Sequence, residues 1–384
     1  MTSPGSPEIY TALEGLHAGI EDAVVTSAEA FYQQVSLPPA ASAWAPILQS
    51  VRGGKHFRAL CGAIGAACAM SMQAERDSDP AALITEAAGD PRIVPLMTAL
   101  ELYQASALVH DDLLDDADTR RGNPSPHIQF ATLHATEGLW GSARDFGRDG
   151  AVLAGDFLMS AAHYALSDAL TYCTSSTAPQ LLRRFTLMTG EVAMGQWADT
   201  SVSYRPLEHT EARETISSVS HALDIVRRKS ARYSVMYPAV LGATAANGSP
   251  ALMDVLEGVL EPAGIAFQLR DDALGAFGEP DETGKPTGGD IAEGKRTVLL
   301  ALTLGLAPHE DRERINALYH RGTLNSDEIN EVHAILREHG NDPHEDLIAD
   351  YVQEALDVLA AAPLPAPAKM LLTYLVDMVT SRSK

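Results

Sequence analysis

The chain has 384 residues, 46% of them apolar and 21% charged, and its 28 Lys and Arg against 51 Asp and Glu leave a formal net charge of −23. That acidic excess excludes a protein built around a nucleic-acid or anionic-membrane surface, since both need a basic face. The composition excludes a disordered chain. Length alone would allow two or three domains, but no long Gly/Ser- or Pro-rich linker divides the sequence, so one large domain over residues 1–384 is expected. Few segments alternate with period two, and apolar residues recur at i, i+3, i+4 and i+7. With abundant alanine, the best helix former, the expected class is all-α.

In chain order, Met1 to Tyr10 has neither a basic nor an apolar targeting region. The longest apolar stretches, Ala59–Met72 and Val298–Leu306, fall short of the ~20 residues a membrane span needs. A soluble, cytoplasmic protein is therefore expected, with residues 1–20 at its periphery. After a break at Leu37–Ala40 comes Gly53-Gly54-Lys55-His56-Phe57-Arg58, in which two glycines precede Lys55 and Arg58, three apart on one helical face. That arrangement suits an anion site, although a plain basic helix start would look the same. Cys61, Cys68 and Cys173 form no CxxC pair and read as buried thiols of a reducing compartment. The acidic stretch 73–92, with Asp79-Pro80 and Asp90-Pro91, reads as a surface insertion between helices.

A helix carrying Leu96, Ala99, Leu100, Tyr103, Ala107 and Leu108 on one side runs into His110-Asp111-Asp112-Leu113-Leu114-Asp115-Asp116-Ala117-Asp118-Thr119-Arg120-Arg121-Gly122. Asp111 and Asp115 are i, i+4 neighbours with Asp112 alongside, and carboxylates stacked in this way repel unless a cation lies among them. An oxygen-only, highly charged donor set selects hard divalent ions, chiefly Mg²⁺, and the two arginines that follow suit phosphate oxygens. A second apolar helix, through Val259, Ala263, Ala266 and Phe267, ends on Gln268-Leu269-Arg270-Asp271-Asp272, followed by Lys285 and by Gly289-Asp290-Ile291-Ala292-Glu293-Gly294-Lys295-Arg296-Thr297. Gly284-Lys285 is not a P-loop, because the GxxxxGK[ST] spacing is missing. Two Asp-Asp pairs, each trailed by basic residues, could face each other across a cavity and hold divalent ions and a phosphate-bearing ligand.

From Gly53 to Thr297 the order of motifs resembles the trans-isoprenyl diphosphate synthases, the polyprenyl synthetases. Gly53 to Arg58 resembles that family's GGKRxRP segment, with Ala59 in place of proline, and Asp111 to Asp115 its first DDxxD. Gly190-Glu191 through Gly195-Gln196 is similar to its GE…GQ helix, and Lys229-Ser230 to its Lys-Thr pair. Gln268 to Asp272 with the downstream lysines matches its second Asp-rich region. There are two departures. Gly275 stands where many members carry the last Asp of the second motif, removing one carboxylate, and Gln104 stands where many have a histidine; its amide can still donate to a phosphate.

The resemblance implies a helical bundle of the isoprenoid synthase type with a central cavity. It also implies a homodimer and a head-to-tail condensation of isopentenyl diphosphate with dimethylallyl, geranyl or farnesyl diphosphate. It implies Mg²⁺, three ions per active site, on Asp111, Asp112, Asp115, Asp271 and Asp272. It places Arg120, Lys229, Ser230, Gln268, Lys285 and Lys295 on the allylic diphosphate and Lys55, Arg58, Gln104 and Arg121 on isopentenyl diphosphate. No side-chain nucleophile is required, and His110 reads as structural. Below Asp111 on its helix, Ala107 and Ser106 are small and Tyr103 lies one turn deeper, so a C20 product, geranylgeranyl diphosphate, is expected, with Tyr103 as the floor of the chain-length pocket. A farnesyl or C25 product and a non-catalytic partner subunit are the alternatives. A class I terpene cyclase would have no use for the Gly53–Arg58 segment. A His-Asp metal phosphohydrolase would want further His ligands, whereas His127 and His134 lie in a stretch read as lacking helical pairing.

Overall fold

The computed structural model describes residues 6–73, 78–207, 218–278, 289–321 and 324–380. Helices account for nearly all of them, in keeping with the expected class. The chain divides into two compact units.

The first unit takes residues 1–183, 238–253 and 364–371. Its helices are α1 (Ser6–Val35), α2 (Trp44–Val51), α3 (Phe57–Ser71), α4 (Pro80–Gly89), α5 (Ile93–Leu114), α6 (Pro126–Glu137) and α7 (Ala143–Tyr172), with the start of α8 (Thr177–Ser203), most of α10 (Tyr237–Ala245) and the start of α11 (Pro250–Phe277). From Ser6 onward α1 buries Ile9, Leu13, Leu16, Ile20 and Val24 and packs on α4 and α5. The stretch expected to be a surface insertion holds a helix. Asp79 caps α4, accepting from the Ala81 N–H, Pro80 sits in its first turn, and Leu83, Ile84 and Ala87 bury one side against α1 and α3. Residues 74–77 of that stretch lie outside the described residues. The segment with His127 and His134 is likewise helical, as α6, and both rings are buried; His134 Nε2 lies 3.2 Å from the Trp140 carbonyl oxygen. The long helix α5 packs mainly on α7, where Gly155 lets the two approach: a Cβ there would overlap the His110 ring. His110 Nε2 lies 3.3 Å from Val152 O, a packing position.

The second unit takes residues 184–237, 254–363 and 372–384. It contains the rest of α8 and α11, α9 (Val219–Val226), a π-helical segment Arg227–Met236, α12 (Gly289–Ala292), α13 (Val298–Leu306), α14 (His309–Arg321), α15 (Ser326–His339), α16 (Asn341–Ala361) and most of α17 (Ala366–Thr380). One core gathers Leu299, Leu300, Leu304, Ile315, Leu318, Val332 and Leu336; another sets Val226 and Ala231 against Ile265, Leu269, Val298 and Ile348. No described helix is long and apolar enough to cross a membrane.

Candidate active site

The first unit presents the end of α5, a short hairpin and the start of α3. Helix α5 stops at Leu114; Asp115 caps it, donating its N–H to Asp111 O at 2.9 Å, and Asp116 turns the chain away at φ 51°. Strands β1 (Thr119–Arg120) and β2 (Asn123–Pro124) then pair antiparallel across Arg121 and Gly122, both at positive φ, as a two-residue hairpin requires. The hairpin sends the two arginines to different work. Arg120 Nε donates to Asp112 Oδ1 at 2.7 Å and its Nη2 to Asp111 Oδ2 at 3.2 Å. Arg121 Nη1 donates to Gly53 O at 2.7 Å, and its guanidinium lies flat on Gly54, where a Cβ would come within 2.8 Å.

Asp112 is 1% exposed. Burial raises its pKa, against the pull of Arg120. Loss of hydration and the like charge of Arg120 lower the Arg121 pKa. A cleft open to solvent is lined by Asp112, Arg120 and Arg121 and also by Arg52, Gln49 and Gln129, which sequence reasoning did not single out. Arg58 is the second residue of α3, with its charge felt at Arg121 and Tyr103. Lys55 is exposed and Gln104 half-buried. Of the chain-length positions, Tyr103 is buried, Ala107 is half-buried, and the buried Ser106 hydroxyl donates to Gly155 O at 2.8 Å, which commits it to the α5–α7 packing.

The second unit gathers the remaining motifs. Gln268 Nε2 donates to Asp272 Oδ1 at 2.8 Å on α11. Burial first, then the neighbouring Asp290, pushes Asp272 up to about 8. Burial alone would lower the Lys295 pKa, but Asp290 at 3.0 Å and Glu293 at 2.8 Å raise it. The missing fifth carboxylate of the second motif has a structural counterpart: a Cβ on Gly275 would overlap the Asp290 carboxylate. Asp290, from α12, therefore fills the space that a side chain at position 275 would need. Lys285 lies outside the described residues.

Lys229 and Ser230 lie in the π-helical segment, a distortion concentrated at functional sites. Lys229 Nζ pairs with Asp199 of α8 at 2.5 Å. Arg232 donates to Glu191 and to Glu261, both at 2.8 Å, and Tyr237 Oη donates to Glu191 at 2.6 Å. Two glycines admit this wider backbone: a Cβ at Gly195 would lie 2.6 Å from Lys229 N, and one at Gly264 would lie 2.5 Å from Ala231 O. Gly195→Ala is accordingly expected to destabilise the protein by about 1–3 kcal/mol, the range for overpacking a tight contact, measurable by urea denaturation.

Among the described residues no three Asp, Glu, His or Cys side chains are gathered as a ready metal cage. The donors are nevertheless oxygen alone; Arg120 meets the charge of Asp111 and Asp112, while Lys295 pairs with Asp290, the carboxylate that neighbours Asp272. Such positions fit Mg²⁺, which takes one or two carboxylates and keeps its waters.

The polyprenyl synthetase family model matches residues 44–336. Geranylfarnesyl diphosphate synthase of Aeropyrum pernix is 30% identical over 300 residues, 77% of this chain and 84% of the relative. Geranylgeranyl diphosphate synthase of Saccharolobus solfataricus is 28% identical over 74% of this chain and 79% of its own length. The crystal structure of geranylgeranyl pyrophosphate synthase from Corynebacterium glutamicum, complexed with isoprenyl diphosphate and magnesium, superposes with a TM-score of 0.82 at 30% identity, covering 96% of this chain and 98% of the other. With the Asp-rich end of α5, the Asp271-Asp272 pair on α11, which runs on to Phe277 rather than ending there as expected, the π-helical Lys229-Ser230 and the arginine hairpin in place, the chain belongs to the polyprenyl synthetase family and is a trans-prenyl diphosphate synthase.

Proposed function

We propose that the enzyme condenses isopentenyl diphosphate head to tail with dimethylallyl, geranyl and farnesyl diphosphates and releases geranylgeranyl diphosphate, C20, as its main product. The observation that carries this reading is the Arg120 guanidinium bridging Asp111 and the buried Asp112 at the rim of a basic cavity, which sets carboxylates and phosphate-binding cations side by side. Residues 1–384 act in it as one catalytic domain.

Ionising an allylic C–O bond requires strong stabilisation of the departing diphosphate, to which the bond's electron pair goes. Asp111, Asp112, Asp115, Asp271 and Asp272 would hold Mg²⁺, three ions per site, which would supply Lewis-acid stabilisation of the diphosphate oxygens. Arg120, Lys229, Ser230, Gln268, Lys285 and Lys295 hold the same group and neutralise its remaining charge. Lys55, Arg58, Gln104 and Arg121 fix isopentenyl diphosphate so that its double bond attacks the allylic carbon. A proton then leaves to the released diphosphate, restoring a double bond.

Chain length follows from the small residues below Asp111. Ala107→Phe is expected to shorten the product from C20 towards C15, read by reversed-phase chromatography of the dephosphorylated alcohols. A C15 or C25 product from the wild-type enzyme, or an unchanged length in the variant, would overturn the assignment. A homodimer is supported by α7, which exposes Phe146, Val152 and Leu153 in its first three turns.

A further inference from the structure

The start of α3 is built in an unusual way. Gly53, Gly54 and Lys55 lead into it rather than sharing its first turn with Arg58, and its N-cap, His56, is a buried residue in the left-handed region at φ 42° whose side chain makes no cap bond to its own helix. A helix start leaves several N–H groups without intrahelical acceptors, and an N-cap side chain ordinarily takes the one at the third position. Here that N–H belongs to Ala59 and is taken from another helix: Glu101 of α5 accepts it on Oε1 at 3.0 Å. The other oxygen of the same carboxylate, Oε2, lies 3.1 Å from His56 Nδ1, and because a carboxylate only accepts, the proton of that bond is assigned to the ring. His56 is 3% exposed, its Nε2 has no hydrogen-bond partner, and its ring lies 4.9 Å from that of His17 on α1, whose Nε2 is 3.2 Å from Gly54 O. Glu21, also on α1, accepts from the Gly53 N–H at 3.1 Å. The segment is therefore tied to α1 through its glycines and to α5 through one carboxylate.

We infer that Glu101 is the positioning residue for the isopentenyl diphosphate half of the site: it caps α3 from α5 and holds His56 in its left-handed turn, so that Lys55 and Arg58 are set for a diphosphate before one arrives. This rests on the proposed assignment of isopentenyl diphosphate to Lys55, Arg58, Gln104 and Arg121. Three observations carry it. The carboxylate is a negative charge at a helix N-terminus, where the peptide dipoles favour one. Its bonds fall on His56 and Ala59, the residues flanking Phe57 and Arg58, so they set the direction in which Arg58 leaves the helix. Its charge also reaches Arg121, countering the mutual repulsion of Arg120, Arg58 and Arg121. An acidic group beneath a basic cluster lets the cations converge without a bound anion, and the ordering cost is met in folding rather than in binding.

The test is calorimetric binding with Mg²⁺ present, using isopentenyl diphosphate and, separately, the non-ionising allylic analogue geranyl thiodiphosphate. Glu101→Gln keeps the volume but removes the charge and puts an amide N–H where one carboxylate oxygen accepted, so that either Ala59 N loses its acceptor or His56 must change tautomer to receive the new donor on Nδ1. Isopentenyl diphosphate should bind about tenfold more weakly, equivalent to about 1.4 kcal/mol, with the allylic analogue unchanged. In steady state the KM for isopentenyl diphosphate should rise by a similar factor while the allylic KM stays constant. Glu101→Asp, which restores the charge, should recover part of the loss. Unchanged affinity for both ligands in Glu101→Gln would overturn the inference. Equal weakening of both, with a lower melting temperature, would also overturn it by reducing Glu101 to a structural residue. Failure of the wild-type enzyme to bind isopentenyl diphosphate would instead overturn the assignment of the basic cluster, and this inference with it.

Discussion

Asp272→Asn is expected to lower kcat by at least about a hundredfold, the order of loss for removing one electrostatic contributor at a reacting centre, and at the same time to stabilise the metal-free protein. The two effects have one cause. In the folded chain burial and Asp290 hold Asp272 at about 8, whereas an unfolded aspartate titrates near 3.9. Between those values the folded state keeps a proton that the unfolded state has lost, so stability falls as pH rises through the window and the full penalty is present above it. Asparagine cannot ionise, and its carbonyl can still accept from Gln268. The melting temperature of the variant in EDTA should therefore exceed that of the wild type by a margin that grows from pH 5 to pH 8. A margin independent of pH would show that Asp272 is not held protonated. With Mg²⁺ and inorganic diphosphate the wild type should gain stability and the variant much less, because only ligand bound to the folded state contributes.

The second large effect concerns the frame that carries the arginine cavity. In the first unit α3 and α10 meet through reciprocal glycines. A Cβ on Gly65 would overlap the Ala239 carbonyl, and a Cβ on Gly242 would overlap that of Gly62. Both collisions are with backbone, which cannot rotate aside, so the helices must separate and the buried faces around Cys61, Ile64 and Cys68 must open. Gly65→Ala and Gly242→Ala should each cost about 3 kcal/mol or more, the upper end for overpacking, seen as a lower urea midpoint or as loss of folded yield. Gly19→Ala on α1 is the control. Nothing lies within 4 Å of its Cβ, and the gain in helix propensity should add roughly 0.5–1 kcal/mol. Destabilisation at Gly19 equal to that at Gly65 would remove the close approach as the explanation.

These glycines mark where sequence reading stops. Helix α5 was legible from the spacing of Leu96, Leu100 and Tyr103 because periodicity reports one element at a time. The Asp-rich helix end and the arginines after it were legible because their chemistry is concentrated in a few consecutive residues. Residues whose role arises between elements were not. Glu101 reads as a single acid in an apolar helix until Ala59 and His56 are folded against it. Asp199 becomes a partner of Lys229 only across thirty residues of chain, and Asp290 fills the space left by Gly275 only once α12 packs beside α11. Ser106 was read as lining the chain-length pocket from its spacing to Asp111, but spacing does not show that its hydroxyl is taken by a carbonyl of α7. Helix α4 was hidden for a different reason. Its Asp-Pro boundaries read as loop, although Asp followed by Pro also starts a helix, and Leu83, Ile84 and Ala87 supply the buried stripe.

The most direct measurement is transfer of radiolabelled isopentenyl diphosphate into product by the purified 384-residue chain with Mg²⁺, offered dimethylallyl, geranyl or farnesyl diphosphate in turn. Labelled allylic diphosphates extended in five-carbon steps to C20 are expected, abolished by EDTA and reduced at least a hundredfold in Asp272→Asn. Label remaining in isopentenyl diphosphate with all three partners, or condensation that proceeds equally well in EDTA, would contradict Mg²⁺-dependent chain extension by this protein.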